Sequence, residues 1–190
     1  MAITTSKVLL ANMALLKLGK ATITSLTEAT DEAQKCNLIF DEIRMSVLAE
    51  GPWAFAIKRN EPGQDSTTPK YEFDYQHQLP LDFIRLLEIN ETVPGTYDHR
   101  IEGDMILSNI TGMEIRYIAD ITNVNQWDPN FKTAFVLRLA AELSYYFRGD
   151  RGITELLFAQ YRDAVDRGLA LDGKQGSNET IVSTDLLEVR

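Results

Sequence analysis

The hydrophobic period of this chain changes twice, and nothing else in the sequence constrains its fold as much. Up to about residue 50, and again after residue 128, apolar side chains recur at helical spacing. Between Trp53 and Ile118 they recur nearer every second residue, in short runs bounded by Gly, Pro, Asn or Asp. A helical period turns one stripe of a helix toward a core, and a period of two does the same for one face of a strand. The pattern predicts an α+β fold: a bundle of four helices, a small antiparallel β-sheet inserted between helices two and three, and an extended C-terminal arm.

The first helix is expected over 6–18. Thr5 or Ser6 caps it, Gly19 stops it, and Leu9, Leu10, Met13, Ala14 and Leu16 form its broad apolar stripe. The second, over 30–50, opens at Thr27 or Thr30, with Glu28, Asp31 and Glu32 at the positive end of its dipole. Its stripe is Ala29, Ala33, Cys36, Ile39 or Phe40, Ile43 and Val47, and Gly51-Pro52 ends it. Asp128-Pro129 opens a third helix over 129–147. Phe131, Ala134, Phe135, Leu139, Leu143 and Tyr146 make only one of its apolar faces, so it is either central to the fold or also buried against a neighbouring subunit. A fourth, over 154–171, turns Leu157, Tyr161, Ala164, Val165 and Gly168 inward.

The β subdomain, 53–118, contains the strand-like runs WAFAIK, YEFDYQ, FIRLLEI, YDHRI, MILS and EIRYIA, and the breaker-rich EPGQDSTTP reads as an exposed loop. With 190 residues and 44% hydrophobic content, one core and one domain over 1–172 are expected. Residues 173–190 read as a linker and an arm, whose IVSTDLLEV either pairs as a strand with a partner or frays.

A formal charge of -9 disfavours binding to phosphate backbones or anionic lipid, unless the basic residues gather on one face. No run reaches the roughly 18 apolar residues of a membrane span. The first residues fit an amphipathic helix better than a signal peptide, and a lone Cys36 fits a reducing cytoplasm. Catalytic motifs are missing: there is no G-x-S-x-G, H-E-x-x-H or C-x-x-C. Gly168 to Lys174 matches G-x-x-x-x-G-K, but Gln175 replaces the magnesium-binding hydroxyl. His77 and His99 read as partly exposed strand positions. Asp98, His99, Glu102 and Asp104 are the best acid–base or metal cluster, although their place beside Gly103 favours a turn. Cys36 reads as a core residue and Arg148-Gly149-Asp150 as an interhelical turn. No catalytic residue, metal or cofactor is expected.

Taken in order, several features resemble one family. A helix ends in Leu18-Gly19 and leads through Ile23, Ser25 and Leu26 to an acidic helix with Glu32, Ala33 and Asn37. That helix closes on Gly51-Pro52-Trp53-Ala54-Phe55-Ala56. Tyr75, Leu79-Pro80, Asp82, Arg85, Arg116-Tyr117-Ile118 and an apolar helix after Pro129 and Phe131 follow. From about Asn12 to Asp172 the chain resembles the tail tubular protein A and related head-to-tail adaptor proteins of tailed bacteriophages. The resemblance implies a mostly helical subunit with a small sheet, joined in a dodecameric ring between the portal protein and a tail nozzle or other tail protein. It implies a place in the virion neck after synthesis in the host cytoplasm, passage of genomic DNA without sequence-specific binding, no membrane contact and no catalytic residues. Ile181, Val182, Leu186, Leu187 and Val189 are then the expected portal contacts, and Trp53, Phe55, Phe131 and Phe135 serve a subunit interface or the core. Two other readings stay open. One is a tail-associated cell-wall or polysaccharide hydrolase with carboxylates among Glu102 and Asp104. The other is a small helical binding or chaperone protein acting through its last ten residues.

Overall fold

The computed structural model describes residues 5–90 and 97–173. Ten elements follow one another: α1 (Lys7–Lys17), α2 (Asp31–Glu50), β1 (Ile57–Asn60), β2 (Tyr75–Gln78), β3 (Phe83–Ile89), β4 (His99–Glu102), β5 (Met105–Ser108), β6 (Ile115–Ala119), α3 (Pro129–Arg148) and α4 (Arg151–Gly173).

Local chemistry sets the helix ends. Ser6 Oγ accepts from Leu9 N at 3.1 Å, Thr30 Oγ1 from Ala33 N at 3.4 Å and Asp128 Oδ1 from Asn130 N at 2.7 Å, each taking up an amide that the first turn leaves unpaired. Gly149, at φ 59°, ends α3 in the left-handed region that suits glycine. The fourth helix starts earlier than its periodicity predicts, because Asp150 accepts from Gly152 N at 2.8 Å and from Ile153 N at 3.4 Å. Asp150 is therefore the cap, and the Arg148-Gly149-Asp150 string is the turn between α3 and α4. Gly168 and Gly173 both lie within α4, so the described part of the G-x-x-x-x-G-K string is helix and not a phosphate-cradling loop, and Lys174 lies outside the described residues.

α3 is the central helix. It contacts α1, α2 and α4, and ten of its residues from Phe131 to Ser144 are buried, which accounts for apolar side chains all round it. The ring of Phe131 meets Trp53 at 5.2 Å, Phe55 at 4.9 Å and Trp127 at 5.0 Å between centroids, and Phe135 meets Phe40 at 4.7 Å and Trp127 at 5.0 Å. The two indoles are satisfied as well as buried: Trp53 Nε1 donates to Val47 O at 2.9 Å and Trp127 Nε1 to Ile121 O at 2.7 Å.

The β region differs from the single sheet that periodicity predicts. All six strands follow α2 and precede α3 in the chain, yet they form two three-stranded antiparallel sheets, ordered β1-β6-β3 and β2-β5-β4. Neither sheet is interposed between the two helices in space, because α2 and α3 pack directly on each other through Phe40 and Phe135. Trp53 to Ala56 are not strand either. Ala54–Ala56 form one 3-10 turn that delivers the chain from α2 into β1. In α1 the buried face is Leu10, Ala11, Ala14, Leu15 and Leu18, while Leu9, Met13 and Leu16 of the expected stripe are exposed. The helix is apolar on both sides, so its period alone could not select the inner one.

Candidate functional site

The acidic cluster singled out by sequence sits on the tight β4–β5 hairpin, where Gly103 takes φ 62°. Its members are occupied with holding that turn. Asp104 accepts through Oδ2 from Gln78 Nε2 at 2.9 Å and through its carbonyl from Leu79 N at 2.8 Å. Arg100 pairs with Glu72 at 2.9 Å and lies 3.9 Å from Glu102, and His99 Nδ1 is 3.0 Å from the carbonyl of Tyr97. The hairpin brings Glu102 and Asp104 near Arg100 and Gln78, and it turns Glu102 and His99 toward two different pockets instead of gathering the cluster around one. Among the described residues no group of three or more His, Cys, Asp or Glu could hold a metal ion.

His77 is a correction to the sequence reading, being 1% exposed instead of partly exposed. Its two ring nitrogens face carbonyl oxygens of two different loops, Pro62 O at 3.3 Å and Ile110 O at 3.1 Å. The ring thereby ties both loops to β2. Cys36 is buried in the core, and that burial, with the charge of Glu32 second, pushes its thiol up to about 11, so it stays protonated and unreactive near neutral pH.

Two further polar groups bind the layers together. Arg44 of α2 donates through Nε and Nη2 to the two carboxylate oxygens of Asp120 at 2.7 and 2.9 Å, and through Nη1 to Asp41, which also accepts from Lys7 Nζ at 3.0 Å. This links α1, α2 and the end of β6. In the sheet, Tyr117 donates to Asp82 at 2.9 Å, and Asp82 also accepts from Lys58 Nζ at 2.6 Å. Burial first, and the Asp82 carboxylate second, push the Tyr117 hydroxyl up to about 12. For Asp82 burial works the other way, but the bonds from Lys58 and Tyr117 outweigh it and hold the carboxyl below its usual range. Each group has a structural partner at hand.

Beyond these contacts the surface also carries large exposed apolar side chains. Leu9, Met13 and Leu16 occupy one face of α1, with Leu16 at 64% exposure, and Leu38 of α2 is 76% exposed. Met45, Tyr145, Tyr146, Leu156 and Leu171 are exposed on α2, α3 and α4. Isolated exposed leucines are ordinary on a monomer, but spacing of four and then three along α1 makes a continuous row. Of the aromatics expected at an interface or in the core, Trp53, Phe131 and Phe135 are fully buried within one chain, and Phe55 is partly buried against the same core. Ile181, Val182, Leu186, Leu187 and Val189 lie outside the described residues. No helix among the described residues is long and apolar enough to cross a membrane. No known protein-family model matches the chain, and neither does any curated protein.

Proposed function

We propose that this chain is the repeating subunit of a bacteriophage head-to-tail adaptor, a virion protein whose ring joins the portal to a tail protein and continues the DNA channel. The observation that carries the reading is where the apolar surface lies. The aromatic core is filled within one chain and both indole N–H groups are satisfied there, and yet α1 and α4, each packed on α3, leave Leu9, Met13, Leu16, Leu156 and Leu171 uncovered. A closed ring needs two different faces on every subunit, so that each copy presents one to its neighbour before it and the other to its neighbour after it. Two helices flanking a central one supply such faces. The order of sequence features shared with the adaptor family supports the same reading.

Charge fits the role. Subunits of net charge -9 assembled around a channel repel phosphate, which favours passage of DNA over retention. Neither the hairpin carboxylates, engaged with Gln78 and Arg100, nor the buried thiol argues for catalysis as the main task. Co-sedimentation of the purified chain with a purified portal ring tests the proposal: the chain should pellet with the ring at a fixed, saturable stoichiometry. A chain left in the supernatant at micromolar concentrations would overturn it.

A further inference from the structure

A strained turn stands beside a pocket that the adaptor reading does not use. Phe73 N donates to Tyr71 O at 2.9 Å across a single residue, Glu72, whose φ is 73°. A hydrogen bond of that span, with the middle residue at positive φ, makes a γ-turn of the rare and strained kind, which a glutamate adopts only where surrounding contacts hold it. Here they do. Arg100 grips Glu72 with both prongs of its guanidinium, Nη1 to Oε2 at 2.9 Å and Nη2 to Oε1 at 3.1 Å. The loop is fixed at its two ends as well, since Asp65 Oδ1 accepts from Thr67 N at 2.7 Å and Asp74 N donates to Asn109 Oδ1 at 2.9 Å. The turn separates two aromatics: Phe73 is 8% exposed, and Tyr71, on the rim of the pocket, is 78% exposed. Backbone strain held in place by its surroundings collects at ligand sites.

The pocket lies between this loop and the face of β2-β5-β4 that carries Gln76, Leu107 and Met105, opposite the buried His77 and Ile106. Its volume, about 370 Å³, falls among small-molecule sites. The buried part of the lining, Phe73 and Leu107, is apolar, while Thr67, Thr68, Gln76 and Glu102 add hydroxyls, an amide and a carboxylate. Gln76 Nε2 spends one bond on Asp65 at 3.3 Å, which leaves its side-chain oxygen and second N–H for a ligand. The charges cancel: Lys70 and Arg100 stand against Glu72 and Glu102, with Arg100 at 2.9 and 3.9 Å from the two carboxylates. An anion therefore gains little here, and the net charge of -9 repels it. A wholly apolar ligand would leave the hydroxyls and the amide without partners. A sugar ring has what remains, an apolar C–H face and neutral hydroxyls that both donate and accept. We propose that this pocket binds a neutral saccharide, one ring stacked by its C–H face on Tyr71 and its hydroxyls bonded to Gln76, Glu102 and the two threonines.

The site belongs to a single copy of the chain and does not rest on the adaptor reading. Proton–nitrogen correlation NMR of the full-length chain tests it, during titration to millimolar concentration with neutral tetrasaccharides of glucose, galactose, mannose and N-acetylglucosamine. At least one of these probes should give saturable shifts at residues 67–73 and at Gln76, Glu102 and Leu107. Tyr71→Ala, a change at an exposed side chain that leaves the core intact, should weaken that binding on the order of tenfold. Tyr71→Phe keeps the ring and should hold the affinity within about twofold, as should Lys70→Ala if no charge is being read. No saturable shift with any probe, shifts that leave the pocket untouched, or an affinity indifferent to Tyr71→Ala would each overturn the proposal. So would binding seen only after deletion of residues 174–190, which would make that segment the occupant. Saturable binding of inorganic phosphate in place of the sugars, abolished by Lys70→Ala, would overturn it too by making this an anion site.

Discussion

Arg44 shows how far one side chain can commit a fold. It is 5% exposed, and a guanidinium so deeply placed is tolerable only because Asp120 takes two of its N–H groups and Asp41 a third. Asp120→Ala should lower stability by about 2–4 kcal/mol, measured by urea unfolding, because the buried charge then stands partly unpaired. Arg44→Met added to that change should recover part of the loss, and a double variant less stable than Asp120→Ala would contradict the assignment. Glu28 offers a pH test on the surface. Its carboxylate accepts from the hydroxyl and amide of Thr24 and from the hydroxyl of Thr30, and those bonds lower it from 4.5 to about 2. A depressed carboxylate stabilises the fold above its unfolded value, and that contribution fades as pH falls through about 2. Carboxyl-carbon NMR should follow this titration directly. In Thr24→Val it should move up toward 4.5, and an unmoved midpoint would count against the bond. Local groups such as these can be read from sequence as caps and turns. His77 could not be, because its burial depends on carbonyls 15 and 33 residues away.

At the scale of elements, Gly168 tests the packing of α4. Mid-helix glycine costs about 1 kcal/mol relative to alanine, so propensity alone favours Gly168→Ala. A Cβ at this position, however, would sit 2.8 Å from Trp53 Cζ3 and 3.2 Å from Asn130 Cβ, with the indole pinned by its bond to Val47. The substitution should therefore lower stability by about 1–3 kcal/mol in thermal unfolding, and a gain in stability would refute the close approach. The helices themselves were legible: Ser6, Thr30 and Asp128 act as the caps expected of them, and the stripes of α2 and α4 face inward, except that Ala29 lies exposed ahead of α2. The start of α4 was misplaced because Asp150 was read only as turn chemistry. The inner face of α1 is only partly that of the expected stripe, Leu10 and Ala14 being buried and Leu9, Met13 and Leu16 exposed, since both its sides are apolar. The division into two sheets was out of reach for a related reason. Alternation identifies strands such as β3, but strand pairing is decided by partners distant in sequence, and β6 pairs with both β1 and β3.

For the molecule as a whole, the core is closed and the periphery is not. α3 and its ring of aromatics complete one hydrophobic interior, while the outer row of α1 leaves apolar surface exposed. The candidate site was only half visible in the sequence. Of the aromatics read as interface or core, Trp53, Phe131 and Phe135 are buried in the chain's own interior and Phe55 is half-buried against it, and the exposed row on α1 emerged once its inner face was known. Under the proposed adaptor role, neighbouring copies would cover that row, and the proposal stands or falls on that assembly. Electron cryomicroscopy of the chain incubated with a portal ring is the most direct measurement. The account predicts an added ring of density beneath the portal, with one copy per portal subunit and adjacent copies in contact through the faces of α1 and α4. Portal particles without added density, or with copies bound singly and touching no neighbour, would contradict it.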